Sequence, residues 1–205
     1  MIKGLYSSLS ALNAAIKRVD NNAYNIANIN TPGFKRVLSY NNTLSKGGVN
    51  VFTIKDNDKQ GYLIYTGRNL DLAINGEGFF KLLNGNGEEV FTRFGHFSVD
   101  KNGNIVNPNG DILFSAAKGK DVRITLDGSI YIDNEPLGKI ELFDTNGNKV
   151  SNNQYEIMPG YLEASNVDVA REIVDMIVSK NYFEANLKST KIIDEMLGKI
   201  IDNFA

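Results

Sequence analysis

The sequence contains no cysteine and no tryptophan, and only one histidine and four prolines in 205 residues. Without cysteine, neither a disulfide frame nor a thiolate metal site is possible. The single imidazole, His96, lies beside Phe97 in an alternating strand pattern, where a lone histidine reads as structural. No charge of one sign dominates either. A formal net charge of −2 gives no basic footprint for nucleic acid and no cationic face for anionic lipid. No apolar run approaches the ~18 residues needed to cross a bilayer. The opening Met1-Ile2-Lys3-Gly4-Leu5 gives way to Ser and Asn before it can form the apolar core of a cleaved secretory signal. Nucleotide motifs are missing as well: no Gly-Lys-Ser/Thr follows a glycine-rich turn, and Gly76-Glu77-Gly78 lacks the third glycine and sits between strands. The carboxylates are scattered and match no hydrolase pattern. These absences imply no cofactor, no metal, no small-molecule substrate and no catalytic residue, so the chain reads as a non-enzyme.

What is present is a near-average globular composition, 42% apolar and 22% charged, with enough length for a core. The two ends carry helical patterns. From about Lys3 to Ile29, apolar residues fall at Leu5, Leu9, Leu12, Ile16, Val19, Ala23 and Ile26, alternating spacings of four and three. That 3.5-residue repeat is the seam of a coiled coil, and a helix of this length reaches roughly 40 Å. Thr31-Pro32-Gly33 stops it. The last segment, from about Ser165, repeats the pattern at Val169, Ile173, Met176, Phe183, Leu187, Leu197, Ile201 and Phe204. Lys180, Thr190 and Asp194 interrupt this second seam, as polar residues that set register do. Ser165 or Asn166 is the expected N-cap, with Asp168 complementing the positive helix end. An amphipathic helix packed on its own domain is the plainer alternative for either end taken alone.

Between the ends the texture changes to short β runs separated by Asn-Gly and Asp-Gly turns, which tolerate the positive φ of tight hairpins. Strands recurring every 8–12 residues predict an antiparallel all-β domain. Two loops, Asp100-Lys101-Asn102-Gly103-Asn104 and Asp144-Thr145-Asn146-Gly147-Asn148, superficially suggest calcium. Their glycine comes fourth instead of sixth, and no bidentate Glu closes them, so hairpin turns explain both better. The expected class is therefore α+β, with long N- and C-terminal helices as a coiled-coil pair flanking an antiparallel all-β domain. Residues 1–30 with 165–205 form the helical assembly part, 31–65 a connecting segment with short strands, and 66–164 the β-rich domain.

Four stretches match one another's company in a known family. The first is Gly4-Leu5-Tyr6-Ser7-Ser8-Leu9-Ser10-Ala11-Leu12-Asn13. The second is Asn25-Ile26-Ala27-Asn28-Ile29-Asn30-Thr31-Pro32-Gly33-Phe34-Lys35-Arg36, the most specific of them. The third is Thr66-Gly67-Arg68-Asn69-Leu70-Asp71-Leu72-Ala73-Ile74-Asn75-Gly76-Glu77-Gly78-Phe79-Phe80, with Phe91-Thr92-Arg93-Phe94-Gly95 after it. The fourth is Gly160-Tyr161-Leu162-Glu163-Ala164-Ser165-Asn166-Val167-Asp168. In this order, over essentially the whole chain, they resemble the flagellar basal-body rod and hook protein family. The resemblance implies terminal helices that line a central channel as a nested coiled coil, with the β domain outside. It also implies partners that are other copies and neighbouring axial proteins, and a place in the basal-body rod. Transit would use the flagellar type III export apparatus without a cleaved signal. The short connection from Phe34 to Thr66 favours a proximal-rod subunit over a distal-rod or hook one. From a different functional class, a β-sandwich module binding cell-wall glycan remains open at this stage.

Overall fold

The computed structural model describes residues 2–45, 47–115 and 122–203. Its contacts divide into two units: Met1–Ile29 with Lys35–Asn57 and Val167–Ala205, and Asn30–Phe34 with Asp58–Asn166.

The first unit holds helices α1 (Ile2–Ala27) and α2 (Val169–Asp202) and a hairpin of strands β1 (Val37–Thr43) and β2 (Val49–Lys55). The helices pack against each other and run antiparallel. A Cβ placed on Gly4 would lie 3.6 Å from Ile193, whereas Asn25 near the other end of α1 bonds Glu172. Asp168 is the N-cap of α2, accepting from the Arg171 N–H at 3.3 Å. This corrects the expected cap at Ser165 or Asn166, because the Asn166 side chain is spent on Lys59 O at 2.8 Å. Strand β1 pairs with β2 from Val37↔Lys55 to Thr43↔Val49, and both pack on α1. Residues 35–57, expected within a connecting segment, thus cluster with the helices.

The second unit is built of short antiparallel strands. In chain order these are β3 (Leu63–Tyr65), β4 (Leu72–Gly76), β5 (Phe79–Leu83), β6 (Glu89–Thr92), β7 (Ser98–Val99), β8 (Ile105–Val106) and β9 (Ile112–Phe114). Then come β10 (Val122–Ile124), β11 (Ser129–Ile132), β12 (Glu135–Lys139), β13 (Leu142–Phe143), β14 (Tyr155–Pro159) and β15 (Tyr161–Glu163). The largest sheet has the order β13-β5-β9-β8-β7 with β6 also on β5, and β10-β11-β12 form a second sheet. Two long-range ladders, β14 on β4 and β15 on β3, return the end of the unit to its beginning. The alternating strand residues converge on one core that includes Leu72, Ile74, Phe80, Phe97, Ile130 and Ile157. Phe80 and Phe97 meet edge to face at 5.5 Å, the arrangement ring quadrupoles favour. The architecture is α+β, two helices flanking an antiparallel β region.

The turns share one design. In Asn84–Glu88, Asp100–Asn104, Asn107–Asp111 and Asp144–Asn148, the first side chain accepts from the backbone N–H two and four residues on, at 2.8–2.9 Å. The glycine comes fourth in each, with φ between 80° and 87°. The carboxylates of Asp100 and Asp144 are therefore consumed inside their own loops. The Asn104 N–H holds Asp100 below its ordinary 3.8, and the Asn148 amide does the same for Asp144. A depressed carboxylate pKa contributes stability above the unfolded value that is lost as pH falls through the folded one. The β unit should therefore lose stability as the pH drops below 3.8. Urea midpoints measured against pH should show this fall, and Asp100→Asn with Asp144→Asn should blunt it, since Asn already fills the same role at positions 84 and 107.

Candidate assembly surface

Each terminal helix splits its apolar stripe in two. Along α1 the inward positions are Leu5, Ser8, Leu12, Ala15, Val19, Asn22 and Ile26, spaced alternately by three and four. Along α2 they are Val169, Glu172, Met176, Ser179, Phe183, Asn186, Thr190, Ile193, Leu197 and Ile200, in the same rhythm. The sequence-derived stripe shares every seventh residue with these: Leu5, Leu12, Val19 and Ile26 on α1, and Val169, Met176, Phe183 and Leu197 on α2. Its other half lies one residue further round the helix and faces out. Leu9 and Ile16 remain 53% and 46% exposed, and Ala23 is exposed too. On α2, Ile173, Leu187 and Ile201 remain 46%, 51% and 65% exposed. Lys180 and Asp194 are exposed as well, so they do not interrupt the intrachain contact, while Thr190 does lie in it. Phe204 lies outside the described residues. The physical reason is size. The small side chains of Ser8, Ala15 and Ser179 let two backbones approach closely, and the bulkier Leu9 and Ile16 are left over.

A buried polar node fixes this choice of face. Glu172 is fully buried, and Arg36, at the start of the hairpin, donates to it through Nε and to Asp175 through Nη2 at 2.9 Å. Asn25 accepts from the Val37 N–H at 2.8 Å and donates to the Val37 carbonyl at 2.9 Å, so its amide imitates a strand neighbour. The same Nδ2 reaches Glu172 Oε2 at 3.1 Å. Asn25, Arg36 and Glu172 thus lock α1, β1 and α2 together. Asn25 and Arg36 are the two ends of the motif around the Thr-Pro-Gly stop, whereas Glu172 belongs to no motif and no sequence signal joins it to them.

Most of the other motif residues lie in the β unit. The Gly33 N–H donates to the Glu163 carbonyl at 2.6 Å, and the Asn166 N–H to the Phe34 carbonyl at 3.3 Å. Thr31 accepts from the Phe34 N–H at 3.2 Å, which turns the chain at Pro32. Gly33 sits at φ 66°, and a Cβ there would lie 2.3 Å from the backbone of Arg93. Arg93 and Glu163, both buried, are paired at 3.1 Å, and Arg93 also donates to the Gly76 carbonyl at 2.7 Å and lies over the Phe79 ring. Burial pushes the Arg93 guanidinium below its ordinary value, and Glu163 opposes that shift. Glu163 Oε1 further accepts from the Gly61 N–H at 3.0 Å.

Gly160 accepts from the Thr66 and Gly67 N–H groups and donates to the Asp71 carbonyl. Leu162 pairs with Ile64 in the β15–β3 ladder, and Gly78 is packed against Leu142 and Val150. Arg68 donates to Asp71 at 3.2 Å and to the Phe97 carbonyl at 2.6 Å, and Leu70 packs on the core. His96, half-exposed, holds Asp71 at 2.8 Å, which gives the single imidazole a positioning role. Asn28 donates to the Tyr24 carbonyl at 2.9 Å, and Ser165 and Val167 are buried. Among the described residues there is no His/Asp/Glu cluster suited to a metal ion, and no helix is long and apolar enough to cross a membrane.

Three family models match the chain in order. Residues 5–35 match "Flagella basal body rod protein", 73–135 the "Flagellar hook protein FlgE/F/G D1 domain", and 158–203 the "Flagellar basal body rod FlgEFG protein C-terminal". Among curated proteins, the flagellar basal-body rod protein FlgF of Buchnera aphidicola is 32% identical, with 95% of each chain covered. FlgG of Borreliella burgdorferi is 30% identical with 97% of each covered, and FlgG of Bacillus subtilis 28% with 98% of this chain and 99% of its own. The last alignment runs over 262 positions, so roughly sixty positions of that relative have no counterpart in these 205 residues.

Proposed function

Because the chain belongs to the flagellar basal-body rod protein family and is a structural subunit of that rod, we propose that it polymerises through its terminal helices into a hollow axial shaft. The observation that carries this reading is the outward half of each helical stripe. Leu9, Ile16, Ile173, Leu187 and Ile201 are exposed apolar side chains at heptad spacing, and the intrachain contact leaves them unsatisfied. Coiled-coil packing between copies would bury them. Its work is then mechanical, and no residue is assigned a catalytic or cofactor role. Partners are further copies and neighbouring axial proteins, reached through flagellar type III export. The missing aligned positions and the short connection after Phe34 support a proximal position over a distal-rod or hook one.

Leu9→Ser with Ile16→Ser should leave thermal stability within about 0.5 kcal/mol, because both sites are exposed, yet abolish polymer formation in sedimentation. Ala15→Leu should do the reverse, overpacking the intrachain face at about 1–3 kcal/mol. Equal polymerisation of parent and Leu9/Ile16 variant would remove the helices from the assembly contact.

A further inference from the structure

Arg18 is a cation of the helical unit that is partly withdrawn from water. Its Nε is buried without a hydrogen-bond partner, and its guanidinium makes no ion pair among the described residues. It stands where two recesses meet. One, of about 270 Å³, is polar and also lined by Asn22, Tyr40, Arg171 and Asp175. The other, of about 330 Å³, is lined by Ala11, Ala14, Val49 and Tyr182. Arg36 is committed to Glu172 and Asp175, so the excess positive charge at this place belongs to Arg18 and Arg171. A guanidinium held partly out of water without a counter-charge is costly, and a carboxylate reaching it removes that cost.

The same chain carries a segment of the opposite character. With Gly4 beside Ile193 and α1 beginning at Ile2, the turns of α2 after about Glu195 run past the described start of α1 for roughly 10 Å. Residues 194–202 hold the carboxylates of Asp194, Glu195 and Asp202 against the single cation Lys199, and Met196 and Ile201 are exposed there. We propose that the Arg18 recess of one copy receives this acidic, apolar end of α2 from the next copy. The carboxylates meet Arg18 and Arg171, and the apolar side chains fill the alanine-lined recess. The inference deepens the polymerisation reading above and rests on it. Recess and helix end are different patches of one chain, so the contact is head-to-tail and extends beyond a two-fold dimer, into a filament where its rotation does not close a ring.

Arg18→Glu should raise the concentration needed for association roughly tenfold, and adding Glu195→Arg should bring it back to within about threefold. Because the chain lacks cysteine, Asn41→Cys with Lys199→Cys offers a clean cross-link. Oxidation should give a ladder of oligomers in the associated protein and none in dilute monomer. Arg18→Gln serves if Arg18→Glu unfolds, with thermal unfolding as the control. Unchanged association in the Arg18 variants, a charge swap that restores nothing, or cross-linking that stops at dimers overturns this inference alone. A parent chain that stays monomeric at every concentration overturns the polymerisation reading together with it.

Discussion

Arg36→Ala should lower the stability of the helical unit by about 3–5 kcal/mol, the range expected when one member of a buried ion pair is removed. Glu172 is fully buried, and Arg36 is its charged partner, with Asn25 as an amide donor. Without the guanidinium, the carboxylate must ionise uncompensated or take up a proton, and Asp175 loses its 2.9 Å donor as well. Chemical denaturation followed by helical circular dichroism measures the loss directly. Replacing both partners, Arg36→Met with Glu172→Leu, should recover much of it, because two apolar groups leave no orphaned charge. The recovery should stop short of the parent by about 1–3 kcal/mol, since an Asn25 amide hydrogen then lacks its acceptor. Equal losses in the single and double variants would show that packing at this place matters more than charge.

The second large effect is expected at Gly33. Gly33→Ala should destabilise the β unit by about 3 kcal/mol or more, combining a disfavoured positive φ with a close approach. The added Cβ would lie 2.3 Å from the Arg93 carbonyl, and moving it away pulls the Gly33 N–H off Glu163. Asn tolerates positive φ better than Ala does. Gly33→Asn therefore separates the two causes: a loss as large as that for Ala assigns the effect to the close approach, and a clearly smaller one assigns it to backbone strain. Urea unfolding monitored by the tyrosine signal of the β unit supplies the comparison.

The helical ends and the hairpin turns were legible because each follows a local rule. Heptad spacing marks α1 and α2, and Asx-x-Asn-Gly marks the loops at Asn84, Asp100, Asn107 and Asp144. Strand β1 was not legible, since Ser39, Asn41, Asn42 and Thr43 dilute any alternation and the strand is held by β2 and α1. Strand β12 hid for a similar reason, being a largely exposed edge that contains Pro136. The helix contact was half legible. A reading that ranks residues by apolar size selects Leu9 and Ile16, whereas close packing selected Ser8 and Ala15, and a charge network selected Glu172. The motif around Thr31-Pro32-Gly33 was visible as a pattern, but its cause was not. Gly33 answers to Arg93 and Glu163, and Asn25 to the backbone of Val37, and no spacing rule connects positions so far apart.

Those separations bear on the order in which the chain takes shape. The loops that turn the β hairpins close over five residues and need nothing from elsewhere. The Arg36–Glu172 and Asn25–Glu172 bonds span 136 and 147 positions, and the Gly61–Glu163 bond spans 102. Loop closure over such distances is the slow part of making a fold. Whichever end of the chain is considered first, its hairpins can form at once. Both units must wait, open, for the other end to arrive. The last event in maturation is then a double fastening, at Glu163 and at Glu172, made by two side chains nine residues apart.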